Sequence, residues 1–265
     1  YGFSGGSFSN VIQGNYIGLD TVGAMKSNDW YAIEIQHSPS NVIGGAVSGA
    51  GNVIGGGQYG IKMEGTNTCG TIIQGNKIGT DPSGTSARPI VYVDIALGES
   101  RFSQVGGTND NARNVISGSL GNGITTDTDE GGNHVIEGNY IGLDLGGTVV
   151  ISNLGAGVSI NRPGCRIGGT NAANRNVISG NGNLGVFIGG TNATNIVIYG
   201  NYIGVDATGT NALGNGDGGV MTDSGARDIW IGKGVAGCGN VISGNGAAGV
   251  ELRGGSRGVR VLNNY

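Results

Sequence analysis

Little of this chain is charged. Its 265 residues hold 14 lysines and arginines against 18 aspartates and glutamates, a net charge of −4. That balance offers no basic surface to a nucleic-acid backbone, and the cations are scattered, with no run suited to an anionic membrane. Long apolar runs are missing as well: no stretch approaches the ~18 residues needed to insert across a bilayer. The first residues show neither a signal-peptide pattern nor an initiator Met. The chain opens at Tyr1 and stops at Tyr265, each inside what reads as a repeat, as expected of a fragment or processed region of a longer protein.

Cysteine and histidine are scarce too. Cys69, Cys165 and Cys238 make an odd count without metal-ligand spacing. They fall in turns of well-separated units, whereas a disulfide needs Cα atoms within roughly 7 Å. Three small semi-buried thiols are expected. His37 and His134 sit in polar turns far apart in the chain, suggest no nucleophile triad, and are expected to face solvent. No metal or cofactor motif is present, and no glycine cluster opens a helix to cradle a phosphate.

Glycine, by contrast, is abundant. The 59 glycines and 4 prolines come close to the level at which composition alone suggests disorder. A regular apolar pattern argues against that. The hexad Asn139-Tyr-Ile-Gly-Leu-Asp144 also reads Asn15-Tyr-Ile-Gly-Leu-Asp20, Asn76-Lys-Ile-Gly-Thr-Asp81 and Asn201-Tyr-Ile-Gly-Val-Asp206, at steps of 61, 63 and 62 residues. The period divides in two. Ile12, Ile43, Ile73, Val105, Ile136, Ile167, Ile198, Ile231 and Val261 recur at intervals of 30 to 33 residues. One apolar position returning through the whole chain marks a solenoid, whose turns bury their apolar sides only by stacking.

Each unit holds three short Val/Ile-rich segments bounded by Gly, Asn or Asp, too short and too glycine-rich for helices. The fold class read from this is all-β: a single parallel β-helix segment over 1–265, right-handed like other parallel crossovers. It has three strands per ~31-residue coil and about eight coils, a rod of roughly 40 Å at the ~4.8 Å strand spacing.

Alternate coils carry Asp20-Thr-Val-Gly23, Asp81-Pro-Ser-Gly84, Asp144-Leu-Gly-Gly147 and Asp206-Ala-Thr-Gly209. Asp first and Gly fourth is the preference of a type I turn, with the carboxylate accepting local N–H bonds. A calcium ladder is the competing reading. The carboxylates stand two rungs apart, roughly 9–10 Å, too far to share an ion that needs oxygens at about 2.3–2.6 Å. Asn15, Asn76, Asn139, Asn201 and Asn264 follow short strands, and are expected to hydrogen-bond from coil to coil in a ladder at one corner.

The repeated Asn-Val-Ile-Ser-Gly-Asn (Asn176 to Asn181, Asn240 to Asn245, and in part Asn114 to Gly118) and the stretch Ile167 to Asn176 carry a resemblance. They are similar to the right-handed parallel β-helix repeats of large secreted bacterial proteins, and the likeness covers essentially the whole chain. It implies an extracellular or cell-surface location. Proteins of this pectate-lyase-like architecture include polysaccharide lyases and hydrolases, phage tailspikes and surface proteins without catalysis, so the fold does not carry an activity with it. The Asp-Asp pairs and Gly-His-Gly of polygalacturonases are absent here.

β-Helix lyases place acids and a basic residue on one exposed strand face. The corresponding candidates are Glu34, Lys62, Glu64, Asp94 and Asp127, read as outward positions of the third strand on four consecutive coils, with Arg101, Asp129 and Glu130 in nearby turns. Carboxylates on adjacent rungs can share a cation or raise one pKa. The same residues also serve as ordinary charges on an exposed sheet. Trp30, Tyr31, Tyr92, Phe187 and Trp230 are the aromatics that could stack on a sugar.

Two functions remain open from the sequence. The first is a non-catalytic structural β-solenoid of a secreted or cell-surface protein, a stalk, adhesin body or filament subunit that associates head to tail. The second is a polysaccharide-binding or polysaccharide-degrading module using the Glu34-to-Asp127 face; a trimeric phage-type receptor-binding fibre is a weaker alternative.

Overall fold

The computed structural model describes residues 7–126, 130–235 and 237–265. Over the described residues the chain winds through three parallel sheets of nine, eight and eight strands, each strand pairing with those one coil before and one coil after. Eight full coils and the first strand of a ninth result. One coil runs Arg166–Gly168 in the first sheet, Val177–Ile178 in the second and Leu184–Gly189 in the third. Among the described residues there is no α-helix; two 3₁₀ turns, Asp110–Ala112 and Ala172–Asn174, are the only helical elements.

The register realises the 31-residue period residue by residue. Ile12 pairs with Ile43, then in turn Ile73, Val105, Ile136, Ile167, Ile198, Ile231 and Val261. Parallel rows from the other two sheets, led by Ile54 and Ile61, meet it to form one continuous core. Each fully buried side chain of this kind stabilises by roughly 1.5–3 kcal/mol. A one-residue slip would turn the whole row outward, which fixes the register.

The corner between the first and second sheets is polar, and it is fully paired. Asn15, Asn52, Asn76, Asn114, Asn139, Asn176, Asn201, Asn240 and Asn264 form an unbroken ladder in which each Oδ1 accepts the backbone N–H and the Nδ2 of the asparagine one coil earlier. From Asn52 onward each Nδ2 also donates to a carbonyl of the first-sheet strand one coil earlier, as Asn139 does to Val105 at 2.9 Å. The ladder therefore includes the expected odd-coil asparagines and, between them, the even-coil ones.

Alternate coils differ because their long loops leave at different corners. In odd coils a small hairpin leaves between the second and third sheets, closed by the antiparallel bridges Leu19–Met25, Thr80–Ala87, Leu143–Val150 and Val205–Ala212. The four aspartates anchor these hairpins as turn residues: Asp144 Oδ1, for example, accepts the N–H groups of Thr148 and Val149 at 2.8 and 2.9 Å. The hairpins reach across the intervening even coil and bond to one another. Leu145 N–H donates to Gly84 O and Ala207 N–H to Gly147 O, each at 2.9 Å. Pro82 has no N–H to offer Gly23, and the Arg88 side chain donates there instead. Gly142, at φ +87°, is required beneath a hairpin: a Cβ there would lie 2.2 Å from the Ser179 carbonyl oxygen.

Candidate functional site

The outward row of the third sheet reads Glu34, Lys62, Ala96, Thr125, Ser159, Phe187, Met221 and Glu251 from coil to coil. Three of the expected residues come together at its first end. Glu34 stands opposite Lys62, and Gln36 opposite Glu64. Lys62 Nζ lies 3.4 Å from Glu64 Oε1. Gln36 Nε2 bridges the two carboxylates, donating to Glu34 Oε1 at 2.8 Å and Glu64 Oε2 at 3.1 Å. Lys62 also lies over the Tyr59 ring, 4.9 Å from its centroid.

Asp94 does not join them, contrary to the outward placement expected from alternation. The register puts Ala96, not Asp94, opposite Lys62. Asp94 shares its row with Gly60 and Gly123, where a Cβ would meet the second-sheet core residues Ile78 and Ile141. Asp94 and Ile95 are both fully buried, because the chain rounds a corner as it enters this strand and simple in–out alternation fails there. Neither carboxyl oxygen has a hydrogen-bond partner among the described residues. Burial pushes its pKa well above the usual carboxylate range, so the neutral acid is favoured.

Its location has a structural logic. A second, shorter asparagine ladder joins Asn153, Asn181, Asn215 and Asn245 at the corner between the second and third sheets. It ends at Ser119, whose N–H donates to Asn153 Oδ1 at 3.0 Å. A Cβ on Gly142 or Gly204 would meet the Oδ1 of Asn181 or Asn245; on the equivalent Gly79 it would meet Asp94 Oδ1, at 3.0 Å. Asp94 thus fills a place that ladder asparagines fill elsewhere.

Asp127 lies outside the described residues, as does Asp129. Arg101 and Glu130 form an ion pair at 2.8 Å, both substantially exposed, a geometry worth little in stability.

Beside the charged end of the row runs an aromatic ladder. The rings of Tyr31, Tyr59 and Tyr92 follow one another with centroids 5.6 and 5.7 Å apart, and Trp30 and Tyr92 are exposed. Tyr59 is not among the residues singled out from the sequence; the signal was its place two residues before Ile61, as Tyr31 stands before Ile33. Further along the face, Phe187 packs outside the sheet against Ala156, Leu184 and Met221. Trp230, on the first sheet, is half-buried beneath the Arg260 guanidinium, 4.5 Å from its centroid.

Of the two histidines, His37 is exposed and His134 is not. His134 is fully buried in the corner before the first sheet, in the row of Asn41, Thr71, Ser103 and Cys165. Its Nδ1 accepts the Ser103 N–H at 3.3 Å. Burial lowers its pKa to about 4, with the Ser100 backbone partly opposing. The solvent-facing expectation therefore fails for His134, because this turn position points inward. Cys165 and Cys238 are buried, Cys69 is partly so, and all three are free. Burial pushes the Cys165 thiol up to about 11, far from a reactive thiolate.

No group of three or more His, Cys, Asp or Glu side chains that could hold a metal ion occurs among the described residues. Compared with protein-family models, curated proteins and solved structures, the chain matches none of them.

Proposed function

We propose that this chain is a non-catalytic structural β-solenoid, a stiff rod segment of a secreted or cell-surface protein of the bacterial type, serving as a stalk, adhesin body or filament subunit. The observation that carries the reading is the asparagine ladder running without interruption from Asn15 to Asn264. A corner in which every coil is bonded to the next resists bending and local opening along the whole axis. The hairpins that bond across intervening coils add a second continuous tie. A parallel stack of this kind continues with the same geometry in either direction, and head-to-tail association of like rods belongs to the same proposal. Electron microscopy of the native material, or of purified protein at rising concentration, tests it. Regular rods or filaments longer than ~40 Å are expected; isolated short particles that turn over a polysaccharide would overturn it.

A second reading, a polysaccharide-binding module, is favoured by the Tyr31–Tyr59–Tyr92 ladder beside Glu34, Gln36, Lys62 and Glu64. Aromatic faces and a carboxylate–amide cluster are the groups that bind sugar rings and hydroxyls. On a glycan array, binding that is lost in Tyr59→Ala and weakened in Glu64→Gln supports this surface. Binding indifferent to both places the site elsewhere.

A further inference from the structure

Where one repeat departs from its neighbours, a cleft opens on the corner between the first and second sheets, on the outside of the main asparagine ladder. Loops of the even coils, residues 46–51, 107–113 and 169–175, reach over this corner above the odd-coil segments Asn76–Lys77, Asn139–Tyr140 and Asn201–Tyr202. In two cases the space between loop and hairpin is filled the same way. The Arg113 guanidinium stacks on Tyr140 at 4.4 Å and that of Arg175 on Tyr202 at 4.0 Å. Each ring lies directly beneath a hairpin glycine, Gly147 or Gly209.

Over Lys77 both fillers are missing. The residue in the place of Arg113 and Arg175 is Gly51, and it cannot carry a side chain, since a Cβ would sit 1.8 Å from the Gly75 carbonyl oxygen. In the place of the tyrosine stands Lys77, whose methylenes run beneath Gly84 as the rings run beneath the other glycines. A cleft of about 240 Å³ remains, its walls including Val47, Gly51, Lys77, Asp110, Arg113 and Leu145. The Lys77 ammonium has no ion-pair or hydrogen-bond partner among the described residues. Arg113 is partly exposed and spends one terminal nitrogen on Asp110, at 3.0 Å; its Nε is closed to solvent and has no acceptor among the described residues, so an ion in the cleft can reach only the terminal nitrogens. Asp110 is almost fully exposed, so solvent and salt screen its charge.

We propose that this cleft binds a small oxyanion, a carboxylate, sulfate or phosphate group, held by the Lys77 ammonium and the terminal N–H groups of the Arg113 guanidinium. Val47 and Leu145 form apolar shoulders for whatever carries the anionic group. Charged hydrogen bonds to oxyanions are the strong ones. The proposal is independent of the rod reading and of the third-sheet face.

The test is a ¹⁵N NMR titration of the whole chain with acetate, sulfate and inorganic phosphate, each at ionic strength held constant with chloride. Saturable shifts are expected at the Gly75 and Asn76 amides and at Arg113 Nε–H. Saturation by acetate assigns a carboxylate; saturation by sulfate or phosphate alone assigns a tetrahedral oxyanion. Lys77→Tyr installs the residue that the equivalent positions carry, so the fold is retained, and it should weaken binding by roughly tenfold or more. Lys77→Gln provides a second variant with the same expectation. Shifts that never saturate, or that are unchanged by both substitutions, overturn the proposal.

Discussion

Asn139 Oδ1 accepts two hydrogen bonds from Asn114, from the backbone N–H at 3.3 Å and from Nδ2 at 2.9 Å. Both residues are fully buried. The same pairing repeats at every rung, so each asparagine side chain satisfies its own corner and the one before it.

Asn139→Ala should therefore be severe. It leaves the Asn114 N–H and the Val105 carbonyl without their side-chain partners, and each buried unsatisfied group costs about 1–3 kcal/mol. A loss of roughly 3 kcal/mol or more is expected in urea unfolding. The same substitution at Asn15, which is exposed, should cost about 1 kcal/mol or less, since water replaces the lost bonds. Equal effects at both sites would show that the ladder is not a source of stability.

Asp94→Asn should stabilise the protein at neutral pH. The folded pKa is raised above the unfolded value, so the unfolded chain releases this proton at lower pH than the folded one does. Stability from this group is therefore lost as pH rises from about 4 towards the folded pKa. The amide removes that dependence and supplies donors of the kind found in the neighbouring ladder. Thermal unfolding should show a melting-temperature gain that grows from pH 4 to pH 7. A lower melting temperature at pH 7 would contradict the buried, partnerless carboxyl.

His134 acts in the opposite direction. Its folded pKa of about 4 lies below the model-peptide value of 6.5, so the unfolded chain takes up a proton that the folded chain refuses. Its contribution is complete above about pH 6.5 and declines as the pH falls towards 4, by roughly 3 kcal/mol in all. His134→Asn should remove this slope while keeping an acceptor for the Ser103 N–H, because Asn41 in the same row accepts the Asn10 N–H at 3.1 Å. An unchanged slope in the variant would mean that other groups set the acid sensitivity.

Glu137 is buried on the outer side of the first sheet and receives Arg166 at 2.8 Å, Asn174 at 2.7 Å and Gln104 at 3.3 Å. Arg166→Ala leaves this carboxylate with the two amides alone. With Arg166 itself partly exposed, a loss of roughly 2 kcal/mol is expected in denaturant unfolding, smaller than for a fully buried pair. Replacing Glu137 with Gln in the same background should recover part of it, by removing the uncompensated charge.

Most of the scaffold was legible in the sequence, because each coil repeats the same solution. The isoleucine row, the aspartate turns and the odd-coil asparagines all show as residues returning at a fixed interval. The even-coil asparagines Asn52, Asn114, Asn176 and Asn240 follow the same rule, visible in the recurrent Asn-Val-Ile, yet they complete the ladder only once the coils are stacked. The candidate face was less legible. Glu34, Lys62 and Glu64 obey strand alternation and do meet; Asp94, two residues before Ala96, does not, because the corner turns its side chain inward.

The sequence alone determined the period, the three-strand coil and the residues that line the core. Those follow from local spacing and from the need of each apolar edge to be covered by the next. Tertiary structure alone decided which polar residues are buried. Asp94 and His134 look like surface residues in the chain, and whether a side chain enters the core at a corner depends on the curvature of stacked coils rather than on its neighbours in sequence. It also decided that the space above Lys77 stays open, since that depends on how closely Gly51 approaches Gly75, a contact between different coils.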